Sequence, residues 1–230
     1  LYSEKAAMAY AAFDLKQANA LLDDIGLKRG PDGVRLLPDG RKAEIIVESA
    51  GESTEETDVL QLLHDSWLLA GVKIYAKPLQ REVLRSRVFA GQTQMAIWSG
   101  LENGLASAEM SPEELAPTSQ QQLQWPMWGQ YFETNGQTGQ AIDMAPAQAL
   151  FDKYLAWRAA PDRAAKRAVW QDMIQAYANQ VYSIGLVAGS LQPVVANKRL
   201  RNVPEEGYFN WDPGAHFGCY RPDAFWLAAN

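Results

Sequence analysis

The stretch QMAIWSGLEN at 94–103 sets a large aromatic, Trp98, at the end of an apolar run of strand length and follows it with Ser99, Gly100, Glu102 and Asn103. Those residue types can recognise a ligand together. An indole face stacks on a ring or a peptide plane, a serine hydroxyl and an asparagine amide exchange hydrogen bonds, and the Glu102 carboxylate pairs with a cation. The structural alternative has Trp98 filling core and Gly100 making a turn. Trp125 and Trp128 pose the same choice, because they fall in a stretch without periodicity, whereas Trp67, Trp157 and Trp170 lie on helical patterns and are assigned to packing.

Catalytic constellations are harder to draw. The chain has no GxSxG elbow, Walker loop, HExxH or GxGxxG. His64 lies mid-helix between Leu60 and Trp67 and reads as a packed helix residue. His216 with Asp212 and Cys219 could be drawn as a metal or nucleophile site, but it lacks a fourth ligand. Glu102, Glu109, Glu113 and Glu114 supply carboxylates for a glycosidase-like pair, against the plainer reading of a solvated acidic loop. Arg81 and Arg85, four apart on a helix, could clamp a carboxylate or simply face solvent beside Glu82. The reading is therefore of a binding protein without cofactor or metal, not an enzyme; a carbohydrate-active enzyme and a protein-interaction module are its rivals.

Composition narrows the partners. The 230 residues are 47% hydrophobic, enough for a core, and 21 Lys and Arg against 27 Asp and Glu give a net charge of −6. That balance repels phosphate backbones, so nucleic acid is not an expected partner. A single cysteine, Cys219, excludes an internal disulfide. No window of about eighteen apolar residues occurs, so no membrane-spanning segment is expected. The first residues, LYSEKAAMAY, lack the basic start and apolar centre of a signal peptide.

The elements that must position these residues follow from periodicity and punctuation. Asp14 caps a helix through Leu15, Ala18, Leu21, Leu22 and Ile25, with Gln17 three residues on and Gly26 beyond its end. The turns Pro31-Asp32-Gly33 and Pro38-Asp39-Gly40 bracket VRLL and lead into a strand at 43–49, as a hairpin. Ser53 and Glu56 have capping-box spacing ahead of a helix with Val59, Leu60, Leu63 and Trp67 on one face, ended by Gly71. A strand is expected at 72–76, then a helix at 79–90 with Val83, Leu84 and Val88 inward and Gly91 closing it, then the strand containing Trp98. This order demands crossovers, hence an α/β fold with a mixed, partly parallel sheet flanked by helices, in which ligands collect at the carboxyl ends of strands. Residues 101–146 read as a long ordered loop, 147–158 and 161–181 as an antiparallel helix pair, and 184–189 and 193–197 as strand-like segments before an irregular aromatic tail.

At this point the residues resemble a family. FDLKQANALLDDIGL, the PDG and PDGR turns, LLAGVKI, RVFAGQTQMAIWSG, and later PVVANKRLRNVP and YRPDAFW look like the C-terminal lobe of the family 5 extracellular solute-binding proteins, over almost the whole chain. That family serves ABC importers for peptides, nickel chelates and some oligosaccharides. The resemblance implies a periplasmic-binding-protein-like lobe at 1–185 and a segment at 186–230 that returns toward an N-terminal lobe outside this chain, along with the signal peptide. It also implies periplasmic localisation, a small-molecule or peptide ligand, and an ABC permease in the inner membrane as partner. The expected roles are stacking for Trp98, hydrogen bonding for Ser99 and Asn103, cation pairing for Glu102, and a loop-borne lid for Trp128. Peptide binders of the family commonly carry an aspartate shortly after the tryptophan. Here Ser99, Gly100 and Leu101 follow Trp98, so an uncharged ligand suits these residues as well as a peptide does.

Overall fold

A computed structural model describes residues 1–100, 107–187, 191, 193–207 and 220–229. Two compact units are present, one built from Met8–Trp98 and Ser119–Ala141, the other from Leu1–Ala7, Ser99–Thr118 and Ile142–Asn230.

In the first unit the helix α2, Leu15–Asp24, begins where the Asp14 carboxylate accepts from the Gln17 N–H at 2.8 Å. (The four-residue helix α1, Glu4–Ala7, belongs to the second unit.) Both PDG turns form, with Gly33 and Gly40 at φ +83. The segment between them pairs only through isolated bridges, Arg29 with Arg35 and Leu36 with Lys42, so VRLL is a bridged hairpin rather than a full strand. Strand β1, Glu44–Ser49, then leads through the Ser53 cap into α3, Thr54–Ala70, which ends at Gly71 with φ 85. Strand β2, Lys73–Pro78, leads into α4, Arg81–Phe89, and α4 into the two-residue strand β3, Met95–Ala96. The sheet order is β2-β1-β3, with β1 parallel to both neighbours, as the crossovers require.

Strand alternation sorts the side chains into two cores. Val47 and Ile74 pack with Leu60 of α3 against Ile45, Leu63, Trp67, Met95 and Ile97. The second cluster, Ala50, Leu84 and Val88, takes Leu79, Phe89, Trp98 and Leu123. Ile97 and Trp98, adjacent in sequence, therefore enter different clusters. Two expectations need correction. Trp98 lies beyond the ordered pairing of β3, which ends with the Ile97 N–H donating to Glu48 O at 3.0 Å. Val83 is 44% exposed, because only Leu84 and Val88, four apart, share the buried face of α4.

A third correction concerns the expected loop at 101–146. Residues 101–106 lie outside the described part, but within the rest Pro126–Glu133 forms a helix, α5, with Pro126 in its first turn. Gly129 in its middle is fully packed: a Cβ there would stand 2.1 Å from Ser119 O. A glycine that lowers helix propensity thus permits the contact that docks the helix.

In the second unit α6, Ala145–Ala159, and α7, Arg163–Gln180, pack together across the short connection 160–162. Asp162 caps α7, its carboxylate accepting from the Ala165 N–H at 2.8 Å. Leu150 and Trp157 of α6 and Trp170 and Met173 of α7 form the core. The indole N–H groups of Trp157 and Trp170 donate to Ala108 O at 3.0 Å and Met110 O at 2.8 Å, pinning the segment that precedes a 3₁₀ turn at Glu113–Leu115. The expected strand-like segments are not strands at 184–187 and 193–197; residues 188–190 lie outside the described part. Among the described residues their β-branched side chains have no ladder partner, and the strands there are β4, Leu200–Arg201, and β5, Trp226–Leu227, in an antiparallel pair.

Candidate functional site

Each of the three parallel strands contributes one residue, just past its carboxyl end, to a single cluster in the first unit. Glu52 follows β1, Arg81 follows β2 as the first residue of α4, and Trp98 follows β3. The Arg81 guanidinium grips the Glu52 carboxylate as a fork: Nε lies 2.9 and 3.1 Å from Oε1 and Oε2, and the second nitrogen bonds Oε2. The same guanidinium carbon lies 5.2 Å from the centre of the Trp98 ring. Arg81 therefore engages a carboxylate through its fork while lying over an aromatic ring, two contacts that a planar cation can make at once.

The backbone brings these residues together. Gly51 adopts φ +68, and a Cβ there would meet Leu79 O at 3.0 Å, so the exits of β1 and β2 run closely side by side. The Leu79 N–H donates to Ser49 O at 2.9 Å and extends the ladder to the point where both chains turn outward.

Beneath the cluster lies a buried ionic centre. Glu48, 2% exposed, accepts from Lys77 Nζ at 3.1 Å, Arg87 Nε at 2.9 Å and Thr93 Oγ1 at 2.7 Å. Burial pushes this carboxyl up, but the hydrogen bonds from Arg87, Thr93 and Lys77 outweigh it and hold the pKa at about 2. Glu48 thereby ties β1 to β2, to α4 and to the approach to β3, which are the elements that carry Arg81 and Trp98. Above it, Arg81 holds Glu52 below the usual carboxylate range and is itself raised by Glu52. Glu56, on the first turn of α3, is pushed up by burial and by the Glu52 charge, and its Oε2 is buried without a hydrogen-bond partner.

The expected site residues divide as follows. Trp98 is half-buried, packed on core on one side, with the Arg81 guanidinium over its ring. Ser99 is exposed and opens the second unit. Glu102 and Asn103 lie outside the described residues, as do Asp212, His216 and Cys219. Trp128 is half-buried on α5 and not borne by a loop. Trp125, 2% exposed, is core, its indole N–H donating to Gln122 Oε1 at 2.6 Å. Arg81 is engaged by Glu52, while Arg85 is exposed on the same helix. His64 is packed, Nδ1 lying 2.7 Å from Ile74 O. Glu109 pairs with Arg163 at 2.9 Å and Glu113 accepts from Ser111 at 3.2 Å, which fits the solvated-loop reading of those acids. Among the described residues no group of three or more His, Cys, Asp or Glu could hold a metal. Sequence reasoning missed the pairing of Glu52 with Arg81. Each stands three residues past the end of its strand, but only the register of β1 against β2 brings the two together.

No family model matches the sequence, and no curated protein matches it. Solved structures do. An oligopeptide-binding protein OppA matches with a TM-score of 0.67 at 22% identity, over 88% of this chain and 34% of that one. The periplasmic binding protein MelB of Agrobacterium fabrum, in complex with stachyose, matches with a TM-score of 0.68 at 22% identity, over 96% of this chain and 32% of that one. NikA from Brucella suis, in complex with Fe(III)-EDTA, matches with a TM-score of 0.53 at 15% identity, over 77% of this chain and 34% of that one. These are solute-binding proteins of the family that the sequence resembles. At such identities the likeness establishes the fold, that of a periplasmic-binding-protein-like lobe. The chain spans about a third of the length of each.

Proposed function

We propose that this chain is the C-terminal lobe, residues 1–185, of the periplasmic substrate-binding component of an ABC importer, with 186–230 returning toward the N-terminal lobe. It captures a small solute, such as an oligopeptide, between two lobes and delivers it to a permease in the inner membrane, without bond chemistry. The observation that carries this reading is the convergence of Glu52, Arg81 and Trp98 at the carboxyl ends of three parallel strands, where open α/β sheets bind ligands. Trp98 stacks on the ligand, Ser99 and Asn103 hydrogen-bond it, Glu102 pairs with a cationic group, and Trp128 covers it from α5. No described helix is long and apolar enough to cross a membrane.

A second reading, an oligosaccharide ligand, is favoured by Ser99, Gly100 and Leu101 standing where an acidic partner for a peptide amine is common in the family. The test is thermal stabilisation of the natural-length protein by short peptides, oligosaccharides and nickel chelates. A ligand at a hundred times its dissociation constant adds about 2.7 kcal/mol of stability. A response to one class establishes solute binding; no response to any class overturns the reading.

A further inference from the structure

The second unit carries a small polar recess that takes no part in the strand-end cluster. Its volume is about 140 Å³, and Leu1, Ser107, Ala108, Arg163 and Arg167 line it. Pockets for larger organic ligands begin at roughly 300 Å³, so this one suits a single small group. Its walls are fixed. The segment 107–110 is held where the buried Trp157 and Trp170 indoles donate to Ala108 O and Met110 O, and Ala108 is itself buried. The other wall is α7, on which Arg163 and Arg167 stand one turn apart and so share a helix face. The charges are unevenly matched. Glu109 meets Arg163 Nε at 2.9 Å, whereas no ion pair or hydrogen bond engages Arg167 or the Ser107 hydroxyl among the described residues. The nearby Lys166 rests its ammonium 4.6 Å from the centre of the Trp157 ring, and the Asp162 carboxylate is committed to the Ala165 N–H. Positive charge thus stays in excess at the recess, in a chain whose net charge is −6. Two guanidinium groups and a hydroxyl offer donors to an oxyanion. A planar carboxylate has two oxygens, which one guanidinium fork takes up; a phosphate group has at least three, arranged tetrahedrally, and accepts from both arginines and the serine together.

We propose that Ser107, Arg163 and Arg167 form a binding site for one phosphate group, borne by free inorganic phosphate or by the headgroup of an anionic phospholipid. The site uses none of the strand-end residues, so it stands or falls separately from the solute-binding reading.

The test titrates the natural-length protein with inorganic phosphate at constant ionic strength while following its melting temperature. In parallel the protein is sedimented with vesicles of phosphatidylglycerol and with vesicles of phosphatidylcholine. A saturable rise in melting temperature that chloride does not reproduce identifies the soluble source. Sedimentation with phosphatidylglycerol and not with phosphatidylcholine, without a response to free phosphate, identifies the lipid source. In whichever arm responds, Arg167→Gln is expected to weaken binding about tenfold and Ser107→Ala about threefold, the larger loss falling on the charged donor. Arg41→Gln removes the same charge from an exposed residue of the first unit and should bind as the natural protein does. Arg167 is exposed, so the ligand-free melting temperature of its variant should stay near the natural value. No response in either arm overturns the proposal. So does binding that Arg167→Gln retains in full, or that Arg41→Gln loses to the same extent, since net charge alone would then account for it.

Discussion

Arg81 lies with its guanidinium carbon 5.2 Å from the Trp98 ring centre while its edge is forked to Glu52, so one arginine joins the exits of all three parallel strands. Trp98 accordingly has two duties on two sides. Toward the protein it packs on the cluster of Ala50, Leu84 and Val88; toward solvent it presents the surface that Arg81 shares. Truncation to alanine removes both, whereas phenylalanine keeps much of the apolar packing and loses part of the face. Trp98→Ala should lower unfolding stability by roughly 2 to 3 kcal/mol and abolish ligand stabilisation, and Trp98→Phe should lose far less stability than affinity. Urea unfolding with and without ligand separates the two. A Trp98→Ala variant that binds as the natural protein does would remove Trp98 from the site.

Arg35 is 1% exposed, and its donors are spent on acceptors from several elements: Nε on Ala70 O at 2.7 Å, and the terminal nitrogens on Asp23 at 2.5 Å, on Asn19 Oδ1 at 2.8 Å and on Leu27 O. It fastens the end of α2 and the bridged hairpin to the end of α3. Replacing it with methionine should cost on the order of 3 kcal/mol or more, since several buried carbonyls lose their donor together. Lysine should rescue little, because three donors on one nitrogen cannot reach acceptors arranged for a planar fork. Chemical denaturation of both variants checks this, and a lysine variant as stable as the natural protein would show that charge alone is needed.

Glu48 makes stability depend on acid. Its folded pKa of about 2 lies below the ordinary value of 4.5, so its contribution is complete above pH 4.5 and is lost as pH falls toward 2. The difference is on the order of 3 kcal/mol. Glu48→Gln should therefore be less stable at neutral pH by about that amount and should approach the natural protein near pH 2, a convergence that denaturation curves taken across that range would reveal or refute. A gap between the two that stays constant from pH 7 to pH 2 would mean that the glutamine variant suffers from packing and not from lost charge.

The contrast between these residues and the caps shows what a single sequence carries. Asp14 with Gln17 and Ser53 with Glu56 were legible because capping is a contract between residues three apart. The parallel order was legible because strand–helix–strand succession allows little else. Arg35 and Glu48 were not: their partners lie at positions 19, 23, 27 and 70, and at 77, 87 and 93, and a charge in an apolar stretch is readable as buried only once those partners are known. Helix α5 was hidden by aromatic residues and a glycine, which are poor helix formers, and its packing overrides that preference. At the site, Trp98 was legible from its place after a strand. Glu52 and Arg81 became a pair only when β1 and β2 were in register, since sequence spacing says nothing about which strand exits lie side by side.

The capping box at Ser53 forms only by half. The Ser53 hydroxyl accepts from the Glu56 N–H at 3.3 Å, but Glu56 Oε2 does not complete a reciprocal bond; it is buried without a partner. Burial, then the Glu52 charge, raise the Glu56 pKa, against a smaller lowering by Arg81. A raised folded value favours the folded state below the ordinary 4.5, and that advantage is lost as pH climbs through the folded pKa, the opposite course to Glu48. Glu56→Gln removes the charge, keeps the shape and supplies an N–H₂ that can donate to Glu52. It should be more stable than the natural protein at pH 7 to 8, with the gain disappearing below about pH 4.5. Paired denaturation curves at the two ends of that range decide the matter: a glutamine variant that is destabilised at neutral pH would mean that the Glu56 carboxylate is solvated and serves the helix N-terminus as an anion.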